Sequence, residues 1–319
     1  MRIAAGHRSK AVMLASVLMV AACSAHPSAT RSVEQRGASA ASHPRATTST
    51  TTTTTVPPTT TTEQPGWTPA SLVAGAIAVD SRSVTGPSGG AVTLFRFRSD
   101  LVRYALHAGG SDPPGAAAVA GPDSGGVIGP HEGPLLLAAF NGGFKTNAGV
   151  GGFELNSQVF VPLQAGTASL VIDTDGSAHV GVWGQDVPRP GEQVLSVRQN
   201  LGPLVSGGQP SPAAGAVGDW GSTLGGGAAV ARSALGEDAA GNLIYAGSMQ
   251  AVPGDLAAAL VGAGSQSGME LDINPEWVQL AVAAAPGTPL ATGIPGQNRP
   301  ADQYQVGWTR DFVTVTALG

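Results

Sequence analysis

Between residues 225 and 277 the chain reads as strand, turn, strand, helix, strand, and no other stretch constrains the fold as tightly. Residues 228–237 make the first predicted strand and carry Arg232. Asp238, Gly241 and Asn242 tolerate the dihedrals of a tight turn. Residues 243–247 make a second strand. Pro253-Gly254-Asp255 then opens a helix with Leu256, Ala259, Leu260 and Ala263 on one face, and Gly264 suits its C-terminal end. Residues 269–272 form a short apolar strand with acids at alternate positions, Glu270 and Asp272. A period of two places both carboxylates on one face and Met269 with Leu271 on the other.

The rest of the chain is short strands between glycine and proline. There are 46 Gly and 24 Pro in 319 residues, which leaves little room for long helices. Charged residues are only 12%, about half the usual share for a soluble domain, so each charge deserves individual scrutiny. Lys10 and Lys145 are the only lysines and no basic patch exists, which argues against a nucleic-acid partner. The six histidines are scattered without metal-ligand spacing, and no phosphate-loop motif occurs. We expect no cofactor, with a divalent metal left open. The class implied is α+β: a mixed β-sheet domain with few helices and long Gly/Pro loops.

The N-terminus reads as export followed by anchoring. Residues 1–22 have a charged start (Arg2, Arg8, Lys10) and an apolar core at 11–22, about half of what a membrane span needs. The sole cysteine, Cys23, follows Val20-Ala21-Ala22, which resembles a bacterial lipobox with Cys23 as the lipidated residue. The alternative is an ordinary secretory signal and a secreted protein. Residues 23–66 lack apolar periodicity and contain the Thr-rich run 47–62, which reads as a disordered tether. Residues 67–319 are the folded domain. The implied location is extracytoplasmic, at the membrane through a lipid anchor.

Several local motifs resolve into turns. Gly86-Pro87-Ser88-Gly89-Gly90 matches a nucleophile elbow by letter, but a strand follows where that motif needs a helix. Asp173-Thr174-Asp175-Gly176 resembles a calcium loop, yet its twelfth position is Gly184 rather than Glu. Asn156-Ser157 and Gly207-Gly208 suit hairpin turns. Residues 306–318 are expected to be one closing strand. Asp219-Trp220, in the long loop 210–227, reads either as a lid over a sugar or as a loop pinned by one aromatic.

Three blocks resemble the phosphodiester glycosidase family, whose members carry the N-acetylglucosamine-1-phosphodiester alpha-N-acetylglucosaminidase-like domain. Phe140-Asn141-Gly142-Gly143-Phe144 is similar to its Asn-Gly/Ala-Gly-Phe-Phe block. Asn200-Leu201-Gly202-Pro203-Leu204-Val205 is similar to its Asn-x-Gly-Pro-Leu-Leu block. Arg232-Ser233-Ala234-Leu235-Gly236, a helix, and Leu271-Asp272 follow in the family's order. After Asp272 the family's Gly-Gly-Gly-Ser is replaced by Ile273-Asn274-Pro275-Glu276-Trp277.

The resemblance implies cleavage of a sugar-1-phosphodiester at the glycosidic carbon, with a carbohydrate or phospho-sugar as partner. Such chemistry needs a carboxylate near the anomeric carbon and donors around the phosphate. Asp272 is the carboxylate candidate, with Glu270 and Glu276 as candidates for a second one. Arg232 is the phosphate clamp, because its planar fork matches two oxygens. Asn141 and Asn200 would position hydroxyls or phosphate, with Gly142 and Gly143 letting backbone approach the ligand. The competing reading is a non-catalytic glycan-binding lipoprotein of the cell envelope built on the same fold. For Arg232, Glu270 and Asp272, a structural ion pair is the bland alternative.

Overall fold

The computed structural model of the protein describes residues Gly66–Leu318. The expected signal peptide at 1–22, Cys23 and the Thr-rich run expected to be a tether lie outside the described residues. The first four strands are β1 (Thr68–Val73), β2 (Ala76–Thr85), β3 (Ala91–Phe97) and β4 (Val102–His107). A four-residue helix α1 (Ala116–Val119) and strand β5 (Leu136–Asn141) follow. Next come β6 (Phe153–Leu155), β7 (Gln158–Val161), β8 (Ala168–Asp173), β9 (Ala178–Val182) and β10 (Val194–Gln199). Short strands β11 (Val205–Ser206) and β12 (Gln209–Pro210) lead into β13 (Val230–Asp238) and β14 (Leu243–Ala251). Helix α2 (Pro253–Gly262) precedes β15 (Ser265–Ile273), β16 (Leu280–Ala283), β17 (Leu290–Thr292), α3 (Gln303–Val306) and β18 (Phe312–Ala317).

These strands make three sheets. One has eight strands in the order β1-β2-β3-β14-β13-β15-β11-β12. A second runs β7-β6-β10-β8-β9 and a third β17-β16-β5-β18-β4. The expectation of few helices is met, but the mixed sheets are not. Every pairing between these strands is antiparallel, and the domain is mainly β rather than α+β. The physical reason lies in the connections. Tight turns such as Asn156-Ser157 (φ 52° and 62°) and Gly207-Gly208 (φ 56° and 72°) return the chain antiparallel, whereas parallel pairing needs a crossover.

One core joins all three sheets. Phe97, Phe140, Tyr245, Phe153, Leu170, Met269, Leu271 and Val313 are buried together in it. The rings of Phe97 and Phe140 stack at 5.8 Å, and Phe140 meets Tyr245 at 5.2 Å. Fully burying side chains of this size stabilises a fold by about 1.5–3 kcal/mol each. The other face of the eight-stranded sheet is covered by α2, whose Leu256, Ala257 and Leu260 pack on Leu94, Ala234, Ile244 and Ala246. Pro253 fits the first turn of α2, and Asp255 accepts the Val252 N–H at 3.2 Å. The Gly86–Gly90 turn joins β2 to β3, and the Ser88 N–H donates to Asp255 at 2.8 Å. Trp220 is buried beneath the 210–227 loop and donates to the Ala213 carbonyl at 2.8 Å, so it pins that loop rather than lying over a cleft. Among the described residues no helix is long and apolar enough to cross a membrane.

The last strand starts later than expected. Helix α3 occupies residues 303–306, Gly307 takes φ 127°, and β18 begins only at Phe312. The irregular run between them carries Trp308, Arg310 and Asp311.

Candidate functional site

The eight-stranded sheet would place Glu270 and Asp272 on one face if β15 were regular. It is not regular. Arg232 on β13 is opposite Ile273, and Ala234 is opposite Glu270. Ser233 alone therefore faces two residues, Leu271 and Asp272, which is a β-bulge. The extra residue re-aims Asp272, so the two acids keep different company. Two polar side chains hold the bulge. Asn200 donates its amide to the carbonyls of Glu270 (2.9 Å) and Leu271 (2.8 Å). The Ser233 hydroxyl donates to the Asp272 carbonyl at 3.1 Å and accepts the Asp272 N–H at 3.2 Å.

Glu270 pairs with Arg232. Arg232 Nη1 donates to Glu270 Oε1 at 2.7 Å and to the Trp220 carbonyl at 2.9 Å. Both side chains have 0% exposure, so no substrate reaches them in this conformation. Burial pushes the Glu270 carboxyl well above its ordinary range, although Arg232 pulls it down. Arg232 Nε and Nη2, Glu270 Oε2 and Asn200 Oδ1 are buried without a hydrogen-bond partner.

Asp272 pairs instead with Arg310. Arg310 Nη2 donates to Asp272 Oδ2 and to the Gly143 carbonyl, both at 2.7 Å. The Ile273 N–H donates to Asp272 Oδ1 at 2.8 Å. Burial pushes Asp272 up to about 7, with Arg310 holding it from rising further and nearby Asp311 raising it. A buried carboxylate held near neutrality beside a fixed cation is the arrangement that general acid–base catalysis uses.

A second ion pair braces this corner. Arg198 Nε donates to Asp311 Oδ2 at 2.6 Å, and Arg198 also donates to the carbonyls of Gln199 and Phe144. Gly142 and Gly143 make room for it. A Cβ on Gly142 would sit 1.8 Å from Asp311 Oδ2, and one on Gly143 would sit 2.8 Å from Arg198 Cζ. The Gly143 N–H donates to Asp311 at 3.2 Å. The close approach expected of these glycines is therefore to a buried ion pair. Asn141 is also committed to the protein. Its amide donates to Ser233 Oγ and the Gly142 carbonyl at 2.9 Å each, and its oxygen accepts from Tyr245 Oη at 2.9 Å and the Gln279 N–H at 3.2 Å. Glu276 lies apart on the surface, bonded to Asn298 Nδ2 at 2.8 Å and Arg299 Nη2 at 2.6 Å.

Arg310 opens outward onto a cleft of about 250 Å³ lined by Ser111, Asp112, Lys145, Asn147, Trp277 and Thr309. Asp112 Oδ2 lies 3.7 Å from Arg310 Nε, so Asp112 and Asp272 flank one guanidinium. Trp277 carries Arg310 Cζ at 4.8 Å and Lys145 Nζ at 5.7 Å from its ring centre. Larger clefts, of about 660 and 480 Å³, lie beside Glu237 and beside Ser88, away from Asp272. In the first of these, Glu237 is already bonded by His179 at 2.9 Å and Arg189 at 2.8 Å. Among the described residues no group of three or more His, Cys, Asp or Glu side chains could hold a metal ion.

Reasoning from the sequence passed over Arg310, Asp311, Arg198 and Asp112. One signal was available: the adjacent charges Arg310-Asp311 interrupt an otherwise apolar and hydroxyl-bearing terminal segment in a chain poor in charge.

No protein-family model matches the sequence, and no curated protein matches it. Among solved structures, the chain is similar to the catalytic domain of zebrafish N-acetylglucosamine-1-phosphodiester alpha-N-acetylglucosaminidase, auto-inhibited by its pro-peptide. That similarity has a TM-score of 0.48 and 15% identity, and covers 78% of this chain and 87% of that one. It is also similar to a hypothetical protein from Synechocystis, with a TM-score of 0.44 and 13% identity over 77% of this chain and 63% of that one.

Proposed function

We propose that this protein is an extracytoplasmic hydrolase that cleaves the bond between a sugar C1 and a phosphodiester, held at the membrane by a lipid on Cys23. The observation that carries the reading is the Asp272–Arg310 pair, whose Arg310 lines the Lys145–Trp277 cleft with Asp272 buried behind it. It supplies the two things the reaction needs at one point. A carboxylate near its midpoint at neutral pH can take a proton from water or face the positive ring, and a guanidinium can face the departing phosphate. The C1–O bond breaks with its electron pair going to the phosphate oxygen. Water supplies the hydroxyl to C1, and its proton passes to Asp272 and then to solvent. Phosphate leaves readily, so a strong general acid is not required. In this reading Arg310 takes the phosphate role expected of Arg232, and Asp112 replaces Glu270 and Glu276 as the second carboxylate at the site. Arg232, Glu270, Asn141 and Asn200 position Asp272 through the bulge and the strand ends.

One observation favours the second reading, a glycan-binding lipoprotein without catalysis. Glu270 and Glu276, the two candidates for a second carboxylate, are both tied to arginines rather than placed beside Asp272. The test is hydrolysis of a chromogenic sugar-1-phosphodiester panel by the full chain. Turnover that disappears in Asp272→Asn establishes the hydrolase. No turnover on any sugar, together with saturable glycan binding, establishes the binding protein.

A further inference from the structure

We propose that the cleft between Lys145, Trp277 and Arg310 is an anion site that takes a phosphomonoester, the leaving group of the hydrolysis proposed above. The inference rests on that reading for its biological ligand, but its geometry stands independently. Lys145 is exposed, and among the described residues its ammonium has no carboxylate partner; it lies 5.7 Å from the centre of the Trp277 ring. Arg310 is only 5% exposed, lines the same cleft, and its Nε–H has no hydrogen-bond partner. That Nε faces Asp112 Oδ2 at 3.7 Å, so Arg310 contributes to the cleft as a fixed guanidinium in its wall, and Lys145 is the accessible donor.

Trp277 explains why the two cations are found together. Arg310 and Lys145 both lean on its ring, and Trp308 packs against it at 5.9 Å and 60°. The indole is therefore occupied by cations and serves to hold them, rather than offering a bare face to a sugar. Arg310 is already met by Asp272 at 2.7 Å and by Asp112 at 3.7 Å, so Lys145 is the cation of the cleft left for an incoming anion. Asp112 is the one carboxylate lining the cleft. Its oxygens accept the Thr146 N–H at 3.2 and 3.4 Å and the Thr146 hydroxyl and face Arg310 Nε at 3.7 Å, so its charge is met by the wall. Ser111, Asn147 and Thr309 add neutral polar lining. One water occupies about 30 Å³ in the liquid, so a cleft of about 250 Å³ has room for a phosphate and the first atoms of its ester.

Such a site predicts product inhibition by phosphomonoesters and by inorganic phosphate. The test is calorimetric titration of the full chain with inorganic phosphate, with methyl α-glucoside as a neutral control. Phosphate binds saturably, the glucoside does not compete with it, and Lys145→Gln weakens binding at least about tenfold. Lys145→Arg restores most of the affinity. Circular dichroism of each variant confirms that it is folded. Absence of phosphate binding at millimolar concentration overturns the site, as does binding that Lys145→Gln leaves unchanged. The two proposals separate cleanly. Turnover of a phosphodiester without phosphate binding removes the anion site and keeps the hydrolase; phosphate binding without turnover keeps the site and removes the hydrolase.

Discussion

Glu270 and Asp272 stand two residues apart on one strand, and each is bonded to an arginine at 2.7 Å. By residue type and distance the two pairs are alike. They differ in what surrounds them. Arg232–Glu270 sits on the α2-covered side of the sheet, closed by Trp220, with 0% exposure of either side chain. Asp272–Arg310 sits where three sheets end, and Arg310 opens on a cleft. Chemistry alone does not make a site. An ion pair acts on a ligand only when the packing leaves it an approach, and here a single extra residue in β15 decides which pair has one.

The comparison breaks most visibly through stability at the sealed pair. Arg232→Met leaves Glu270 buried without its cation and is expected to destabilise the fold by about 3–5 kcal/mol in urea unfolding. The double variant Arg232→Met with Glu270→Leu should recover most of that loss. If Arg232→Met instead kept full stability and lost activity, the division between a structural and a functional pair would be wrong.

At the open pair the large effect falls on turnover. Asp272→Asn keeps the hydrogen bond from Arg310 and removes the charge, and kcat should fall at least about 100-fold with little change in unfolding midpoint. Full turnover in this variant sinks the catalytic assignment.

Protonation gives a smaller effect with a definite sign. Burial raises the folded pKa of Asp272 from the usual 3.8 to about 7. The folded state therefore holds this proton more tightly than the unfolded state. The stability it contributes is fully present below the unfolded value, and is lost as pH rises through about 7. Unfolding free energy should decline from pH 5 to pH 8 by about 1–4 kcal/mol, read from urea unfolding, and Asp272→Asn should flatten that decline. Glu270 is raised as well and adds to the same slope.

The bulge itself supplies the smallest and sharpest test. Asn200→Ala leaves the Glu270 and Leu271 carbonyls without their donor, at a cost of about 1–3 kcal/mol. Because Asn200 positions Asp272 without touching the cleft, the pH midpoint of activity should move while phosphate affinity does not. An unmoved midpoint would remove Asn200 from the positioning of Asp272.

Much of the local structure was legible in the amino-acid sequence. Turn residues set the hairpins at Asn156-Ser157 and Gly207-Gly208, and the apolar period with Pro253 and Gly264 marked α2. These features depend on neighbouring residues, so local propensity is sufficient. Three features were not legible, each for a physical reason. The antiparallel order of three sheets depends on which edges meet, and the pairing register is a long-range choice. The bulge at Leu271-Asp272 cannot be read from β15 alone, because it exists only relative to Ser233 on the partner strand. Arg310 and Asp311 looked like strand residues because their partners, Asp272 and Arg198, lie 38 and 113 positions away.

By itself, then, the sequence determined the element types, the scarcity of charge that makes each Arg and Asp conspicuous, and the candidates Arg232, Glu270 and Asp272. Tertiary structure decided which of those charges is joined to a cleft, Asp272 through Arg310. Access to a cleft is set by packing between segments far apart in the chain, and no pattern within one segment encodes it.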